Sequence, residues 1–502
     1  MDEKVEEKSS EDNCKAYEIG CIKDLGKFLI AKKKIEAGDV ILVDSPVISG
    51  PKCTKDEYIC VGCCKTIDDE DQRCLACGWP LCSADCPSLT VHSAECQILK
   101  LCPTKAGDYF SNDILMILRC LLLQTTQKDK WGVIISWDDH LQDKNTSKDF
   151  LKKIQEKCTF IEEIYIKPLK AQEKISGKPL LPRASKDVIQ KVCAILHKNL
   201  MECDNRQILY PLASLLEHNC LPNCLEFIQE KNNYNIIVKA VTTISKGDHI
   251  TLSYTNILCG TQERRRHLKE LKDICCFCQR CKDPTEFNTF LSAMICFGTE
   301  EDACKGVQLP QNPIEENPKW ICNKCDIKLP NKDVLKFVHH LNKEVSKELK
   351  KNPSYDEVNE FMGKLQLFLH ESHYLVNKVK YQLIQCQENG REDEQLKWCQ
   401  ELLDIVRKID PYKARLGLYI STLLTKQFES KRELLLQSFS PDQKENSLTL
   451  IKELRNILTE NKDLLTFLCK FNDEESLLKK NSEHEVILRE WLMEQSILID
   501  FN

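Results

Sequence analysis

The sequence lacks several features that would assign it to a common class of protein. It has no excess of positive charge, because 77 acidic residues outnumber 71 lysines and arginines and give a net charge of −6 over 502 residues. We therefore do not expect direct nucleic-acid binding. Its longest apolar runs, such as residues 114–123, are far shorter than the ~20 residues of a membrane span. The opening segment, MDEKVEEKSSEDN, lacks the apolar stretch of a secretory signal, so we expect an intracellular protein without a membrane anchor.

Cysteine, by contrast, is abundant. The chain has 30 cysteines, and in a reducing compartment such a number indicates metal ligands rather than disulfides. A chain of this length exceeds what a single hydrophobic core supports, so several domains are expected. The contents of 42% hydrophobic and 29% charged residues are typical of soluble globular proteins.

Cysteine and histidine pairs with metal-ligand spacing recur between residues 60 and 96. Two C-x2-C pairs, one C-x3-C pair and one H-x3-C pair supply eight ligands: Cys60, Cys63, Cys74, Cys77, Cys82, Cys86, His92 and Cys96. A C-x2-C pair directs two thiolates at one tetrahedral metal, and ligands four residues apart share one helical face. The pattern predicts a folded module with two zinc ions, although the spacing does not say which pairs share an ion.

A second cysteine-rich stretch covers residues 275–325. Cys296 and Cys304 precede the pair Cys322 and Cys325, with a Pro-rich loop at 311–319 between them. Two such pairs resemble a zinc ribbon and predict one more metal site. The alternative is that Cys296, which follows the apolar segment LSAMI, is a core residue.

Three further segments carry a family resemblance together. They read SLLEHNCLPNC (214–224), KGDHITLSY (246–254) and RRRHLKELKDICCFCQRC (264–281). In this order they resemble the N-H-x-C-x-P-N, G-E-x-[IL]-x-x-x-Y and post-SET C-x-C-x2-C motifs of the SET domain. Residues 26–43 are similar to its opening strands, and residues 60–96 resemble a MYND finger. A finger inserted into a split SET domain is the layout of the SET-and-MYND (SMYD) family of protein-lysine methyltransferases. The likeness extends over nearly the whole chain and is strongest to the insect SmydA branch.

The resemblance implies an α+β multidomain fold: a split β-rich SET domain with an inserted MYND finger, a helical insert, a post-SET zinc site and a zinc ribbon, then an all-α, TPR-like region. The expected segments are a disordered tail (1–14), the N-terminal part of SET (15–55), the MYND finger (60–96), the helical insert (100–190), core SET (191–260), post-SET (261–283), the ribbon (284–330) and the TPR-like region (331–502). Helical periodicity after residue 331 agrees with the last assignment.

The resemblance also implies metal-ligand sets. In the finger the pairs would interleave, with Cys60, Cys63, Cys82 and Cys86 on one zinc and Cys74, Cys77, His92 and Cys96 on the other. The post-SET zinc would be held by Cys220, Cys276, Cys278 and Cys281. Cys275 is an adjacent rival of Cys276, but the C-x-C-x2-C spacing favours Cys276. We expect the spare Cys64 at the surface.

The cofactor implied is S-adenosylmethionine, with Tyr254 as the catalytic tyrosine and the backbone of His218 against the adenine. A tyrosine that merely ends a core strand is the alternative for Tyr254. Cofactor contacts would come from the positions of Gly26, Phe28, Glu217, His218, Tyr254 and Ile274. Three of these depart from the family: Phe28 replaces a glycine and adds bulk unless its ring turns away, Glu217 replaces an asparagine, and Ile274 replaces an aromatic. Glu217 could attract the sulfonium or ammonium charge.

The function implied is methylation of lysines in histones or other proteins, with a role in transcriptional repression. The alternative is a weakly active or inactive adaptor that recruits co-repressors through proline-containing peptides bound by the finger. Trp79 could contact such a peptide or could pack in the finger. Arg264, Arg265 and Arg266 form a candidate local basic patch. We expect a monomer located in nucleus and cytoplasm.

Overall fold

The computed structural model describes residues 15–22, 26–52, 58–69, 72–86, 88–101, 111–143, 146–177, 185–299, 304–386, 390–413, 415–440, 444–469, 475–495 and 497. The tail predicted for residues 1–14 lies outside the described residues.

The strands are short. They are β1 Tyr17–Ile22, β2 Gly26–Ala31, β3 Val40–Asp44, β4 Ile48–Pro51, β5 Tyr58–Ile59, β6 Thr66–Ile67, β7 Met201–Cys203, β8 Arg206–Leu209, β9 Glu217–His218, β10 Cys224–Gln229, β11 Asn235–Ala240, β12 Thr251–Leu252, β13 Met294–Ile295, β14 Val307–Pro310, β15 Trp320–Cys322 and β16 Lys328–Leu329.

The helices lie mainly in two blocks. They are α1 Leu89–Lys100, α2 Ser111–Thr126, α3 Lys128–Ile135, α4 Lys148–Ile161, α5 Lys167–Ser176, α6 Lys186–Asn199, α7 Thr261–Lys272, α8 Gln279–Lys282, α9 Asn331–Leu349, α10 Tyr355–Gln366, α11 Tyr374–Gln385, α12 Glu392–Ile409, α13 Gly417–Ser438, α14 Lys444–Cys469 and α15 Glu475–Glu494. A π-helical turn, Glu162–Ile166, joins α4 to α5. Small sheets followed by a helical C-terminal region confirm the predicted α+β fold class.

The chain divides into two units. The first comprises residues 1–217, 226–252 and 267–274, and the second comprises 218–225, 253–266 and 275–502. In the first unit β1 and β2 form an antiparallel hairpin, β3 pairs with β11, and β4, β8 and β7 form a three-stranded sheet. In the second unit β13 to β16 form a four-stranded antiparallel sheet in chain order.

The helices follow from local sequence signals. In α12 the buried residues Trp398, Leu402, Val406 and Ile409 recur every three or four positions and form one apolar face. Helix α10 begins with a capping box, in which the Ser354 side chain accepts from the Glu357 amide and the Glu357 carboxylate accepts from the Ser354 amide. The apolar faces of α9 to α15 bury one continuous core within the second unit.

The described helices include long ones, such as α14 with 26 residues. None of these helices combines the length and the apolarity that crossing a bilayer requires.

Candidate active site and metal centres

The finger segment brings its eight predicted ligands into two groups. Cys60, Cys63, Cys82 and Cys86 form one group, and Cys74, Cys77, His92 and Cys96 form the other; within each group all ligand atoms lie within 4.8 Å of one another. This is the interleaved arrangement that the resemblance implied. The Cys60 and Cys86 Sγ atoms are 3.8 Å apart, and those of Cys63 and Cys82 are 3.7 Å apart.

These separations fit zinc. Sulfurs at the usual Zn–S distance of about 2.3 Å in a tetrahedron are about 3.8 Å apart. In the second group the Cys74 and Cys96 sulfurs are 3.6 Å apart, and the Cys77 sulfur is 3.4 Å from His92 Nε2. Both groups can therefore hold a tetrahedral metal ion.

A buried ion pair between Glu95 and Arg119 supports His92. His92 Nδ1 lies 3.4 Å from Glu95 Oε1, and Glu95 accepts hydrogen bonds from Arg119 Nε at 2.7 Å and from a terminal nitrogen at 2.6 Å. A carboxylate on the far nitrogen of a ligating histidine fixes the ring tautomer and orientation. Arg119, on α2, also donates to the carbonyls of Ser49 and Val61. One guanidinium thus joins both metal groups of the finger to strand β4.

For the finger, the structure corrects the expectation for Cys64 and decides between the two alternatives for Trp79. Cys64, expected at the surface, is only 6% exposed, and burial raises the pKa of its thiol to about 11. Trp79 is 1% exposed, so its ring packs inside the finger and cannot offer a face to a docked peptide. Both findings have one physical cause. The finger, at residues 60–96, has few aliphatic side chains, and it uses the residues beside its ligands as core.

The post-SET cysteines form a third group. The sulfurs of Cys220, Cys276, Cys278 and Cys281 lie within 4.8 Å of one another. Cys220 is 3.9 Å from Cys276 and 3.6 Å from Cys281, again near a tetrahedral edge. Cys275 is exposed and outside the group. Contacts with the other three cysteines, and then the charge of Arg264, lower the pKa of the Cys220 thiol.

The charges around this group require an anionic partner. Arg264, Arg280 and Glu286 are all at most 1% exposed. Glu286 Oε2 accepts from Arg264 at 2.6 Å and from Arg280 at 3.0 Å. Two cations and one anion leave one positive charge without an acidic side chain in this set, and such burial is costly unless it is balanced. Besides the Cys259 carbonyl and the Thr261 hydroxyl, Arg264 also donates toward sulfur, with Nε 3.3 Å from Cys220 and a terminal nitrogen 3.6 Å from Cys281.

A metal-bound tetrathiolate supplies that negative charge, whereas four neutral thiols do not. The residues of the post-SET group therefore fit a divalent metal. Burial alone would raise the pKa of Glu286, but the neighbouring charges of Arg264 and Arg280 lower it to about 2. The backbone at Glu286 is left-handed, at φ 52°, which costs energy for a side-chain-bearing residue.

The prediction of a basic patch at residues 264–266 is therefore wrong. Arg264 is buried in the network just described, and Arg265 donates to the carbonyls of Cys276 and Ile314. Arg266 pairs with Glu263, three residues earlier on α7. The three guanidinium groups serve the protein interior and a local ion pair, so this segment does not present them together for phosphate binding.

The fourth group lies in the predicted ribbon. Cys296, Cys304, Cys322 and Cys325 have their sulfurs within 4.8 Å of one another, and the pairs Cys296–Cys325 and Cys304–Cys322 are each 3.6 Å apart. Cys296 is buried, as the core interpretation required, but its sulfur belongs to the group. The Gln308 amide nitrogen is 3.4 Å from that sulfur. Strands β13 to β15 carry or adjoin these ligands and set their spacing.

Tyr254 and His218 are linked within the second unit. The Tyr254 amide donates to His218 Nδ1 at 3.0 Å, and the two rings lie 5.5 Å apart between centroids. His218 Nε2 is 3.3 Å from the Cys220 sulfur. The sequence assigned a role to the backbone of His218, but its side chain also holds Tyr254 and a predicted metal ligand.

Gly26 begins β2 in a left-handed conformation, with φ 78°. A side chain there would be strained, and a Cβ atom would lie 3.0 Å from the His140 ring. Phe28, two residues on, faces the interior and is 4% exposed. Its ring covers Gly20, its partner across the hairpin, since a Cβ on Gly20 would be 2.7 Å from that ring. The Phe28 ring is thus packed on its own hairpin.

Glu217 is already paired. Its carboxylate meets Nδ1 of His249, and the His249 ring stacks on Phe28 with centroids 4.7 Å apart. The expectation that Glu217 is available to attract a cofactor charge is corrected, because His249 engages it. Ile274, at the third altered position, is partly buried.

A buried aspartate, Asp44, anchors the segment of backbone that precedes Glu217. Asp44 Oδ2, at the end of β3, accepts from the amides of Leu212 and Ala213 at 2.6 and 2.9 Å. These bonds anchor the 3₁₀ turn Ala213–Leu215 that leads into β9. The Asp44 side chain thereby fixes the backbone of the turn that precedes Glu217.

Residues 26–255 match the SET domain family. This segment of the chain is a SET domain. The chain is 24% identical to the SET domain-containing protein SmydA-8, isoform A, of Drosophila melanogaster, over 72% of this chain and 75% of that protein. It is 26% identical to the histone-lysine N-methyltransferase ASHR1 of Arabidopsis thaliana, over 69% and 72%. It is 32% identical to human SMYD3, over 22% and 23%.

Several residues that support these sites were not predicted from the sequence. Arg119 is remote in sequence from the ligands that it supports, and Glu286, five residues after Cys281, follows no ligand spacing, so no local pattern marked either residue. His249 looked like an ordinary strand residue. Glu95 did carry a signal, because it lies three residues after His92 on α1 and so shares its helical face.

Proposed function

We propose that this chain is an S-adenosylmethionine-dependent protein-lysine N-methyltransferase acting on lysines of histones or other proteins. The name of the Arabidopsis relative, a histone-lysine N-methyltransferase aligned over 72% of its length, supports this activity. The observation that carries the proposal is the placement of Tyr254. Its amide is held by His218, and the same imidazole reaches the sulfur of Cys220 in the post-SET group.

The proposed reaction requires orientation more than acid–base chemistry. When bound, S-adenosylmethionine supplies an electrophilic methyl group. The substrate lysine must first lose a proton, since its ordinary pKa is about 10.4. The hydroxyl of Tyr254 then orients the neutral amine, and a fixed phenol does this without reorganisation during reaction.

The first unit offers a close-approach position for the cofactor. Gly26 has the left-handed backbone that favours glycine, and β2 places it at the start of the hairpin strand. Phe28 is committed to Gly20 and His249, so its ring has a packing role of its own. These features fit a cofactor whose methionine portion lies against Gly26. The backbone of His218 and the positions of Glu217 and Ile274 remain the proposed contacts for the rest of the cofactor.

We assign zinc to the four groups. Each has four cysteine or histidine ligands with separations near those of a tetrahedral zinc site. The two finger ions would hold the finger together, and the post-SET ion would fix the segment that carries Cys276 to Cys281. We further propose a monomer that acts in nucleus and cytoplasm, and that binds co-repressor peptides through its finger in transcriptional repression.

Calorimetric titration of the full zinc-loaded chain with S-adenosylmethionine tests the proposal. We expect saturable binding, and we expect Tyr254→Phe to bind the cofactor within a few fold of the unmodified protein. The absence of heat at millimolar cofactor would contradict the proposal and leave the adaptor function. Gly26→Ala should weaken this binding, and Gly38→Ala is its matched control, because Gly38 also has a left-handed backbone but has no atom within 4 Å of an added Cβ.

A further inference from the structure

The imidazole of His218 uses both ring nitrogens inside the second unit. An amide N–H can only donate, so Nδ1 must accept from Tyr254 at 3.0 Å. In the neutral ring the single proton then resides on Nε2. That N–H faces the Cys220 sulfur at 3.3 Å and donates to it. The tautomer is thus fixed by the two partners together.

Cys220 connects His218 to the other cysteines of the post-SET group. It is fully buried, and its sulfur lies within 4 Å of the sulfurs of Cys276 and Cys281. Arg264 Nε approaches the same sulfur at 3.3 Å, so two N–H donors converge on Cys220. Donation from a second layer to a metal-bound thiolate raises metal affinity and fixes ligand orientation.

Tyr254 is held on its other side as well. The carbonyl of Ser253 accepts from Arg415 at 3.1 Å, and the Ser253 hydroxyl donates to the Thr255 carbonyl at 3.2 Å. The amide of Tyr254 and the preceding carbonyl belong to one peptide group. Both ends of this peptide plane are therefore held, one by His218 and one by Arg415, and the plane fixes the position of the Tyr254 Cα atom from which the side chain extends.

We propose that His218 is a positioning residue whose side chain couples the metal at Cys220, Cys276, Cys278 and Cys281 to the placement of Tyr254. This inference rests on the proposed function for its catalytic consequence, and on geometry alone for its structural consequence. The role belongs to the imidazole and is separate from any contact that the His218 backbone makes with a cofactor.

Two isosteric substitutions separate the two hydrogen bonds. In His218→Asn the amide oxygen lies about where Nδ1 was and accepts from Tyr254, but the side chain is too short to reach Cys220. In His218→Gln the amide nitrogen lies about where Nε2 was and donates to Cys220, but no acceptor faces Tyr254. The matching controls are His340→Asn and His340→Gln, at an exposed histidine of α9 paired with Glu344.

The experiment measures amide hydrogen exchange at Tyr254 and zinc release to a chelator in the full chain. The release phase of the post-SET site is identified by its loss in Cys278→Ser. We expect His218→Gln to speed exchange at Tyr254 by about fivefold or more, with little change in zinc release. We expect His218→Asn to speed release of that zinc by about tenfold, with little change in exchange. The His340 variants should change neither.

Equal effects of both His218 variants on both readouts, or no effect of either, would overturn the proposal. Methyl transfer is the third readout, and we expect His218→Gln to lower kcat more than it changes the KM for S-adenosylmethionine. If the unmodified protein transfers no methyl group, the proposed function fails. The exchange and zinc measurements still decide the structural coupling in that case.

Discussion

The imidazole of His249 lies flat on the ring of Phe28, with centroids 4.7 Å apart and planes 5° apart, while its Nδ1 pairs with Glu217. Phe28 and Glu217 are two of the three positions at which the chain departs from its family pattern. They are joined through one histidine, so they form a single packed unit that also covers Gly20. The two substitutions looked independent in the sequence, but both side chains contact His249 and so belong to one contact network.

The first prediction concerns this coupling. Phe28→Leu keeps the site apolar but loses the ring stacking, and Glu217→Gln removes the charge partner of His249. Because both act through His249, we expect their effects on the free energy of unfolding to be non-additive by about 0.5–1 kcal/mol. Urea unfolding of the two single variants and the double variant measures this. Additivity within about 0.3 kcal/mol would contradict the coupling.

The second prediction concerns Gly26. Alanine at Gly26 and alanine at Gly38 both carry left-handed strain, about 1–2 kcal/mol each. Only the first also meets a neighbour, the His140 ring at 3.0 Å. We expect Gly26→Ala to be the less stable variant in urea and to bind S-adenosylmethionine at least tenfold more weakly by calorimetry. Equal stability and unchanged cofactor affinity in the two variants would refute the role given to Gly26.

The third prediction concerns the buried pair behind the second finger site. Glu95→Gln keeps the size of the side chain but leaves Arg119 without its anion, which costs about 3–5 kcal/mol for a buried pair. Because Glu95 also orients His92, we expect one zinc to be released about 10–100-fold more readily to a chelator. Glu36→Gln, at an exposed carboxylate paired with Lys34, is the control. Unchanged zinc release in Glu95→Gln would show that Glu95 does not support the metal site through His92.

The fourth prediction concerns acid sensitivity. The pKa of Glu286 is lowered from 4.5 to about 2 in the folded chain, because Arg264 and Arg280 stabilise its charged form. A carboxylate whose pKa is lowered by folding contributes stability above pH 4.5, and this contribution is lost as the pH falls from 4.5 to 2. The contribution is about 3 kcal/mol, since a tenfold change in proton affinity corresponds to about 1.4 kcal/mol.

Glu286→Gln should therefore be less stable than the unmodified chain at pH 7, and the difference should shrink below pH 4.5. Comparing the two proteins at each pH cancels the loss of zinc that acid causes in both. Unfolding curves between pH 7 and pH 3 measure the difference. A difference that stays constant over this range would show that Glu286 is not held ionised by its arginines.

The sequence predicted the fold class because its signals were local and strong. Ligand spacing marked the cysteine groups, and helical periodicity marked the region after residue 331. The prediction for Cys64 failed because spacing identifies ligands but not burial, and a small zinc module buries what lies beside them. The basic patch failed because a run of arginines on α7 points in several directions, and only packing reveals that Arg264 faces the post-SET sulfurs.

The site could be predicted only in part. Tyr254 and His218 were found because their motifs are short and ordered, but the hydrogen bond between them joins residues 36 positions apart. No periodicity encodes such a link. The pairing of Glu217 with His249 was hidden for the same reason, which is why Glu217 looked free to attract a cofactor.

The most direct test of the central claim is methyl transfer. The full zinc-loaded chain is incubated with radiolabelled S-adenosylmethionine and either histones or a denatured protein extract, beside Tyr254→Phe. We predict label on lysine side chains with the unmodified chain, and a loss of at least tenfold in Tyr254→Phe, which lacks the orienting hydroxyl. No label above background with saturating cofactor, or equal labelling by both proteins, would contradict the account.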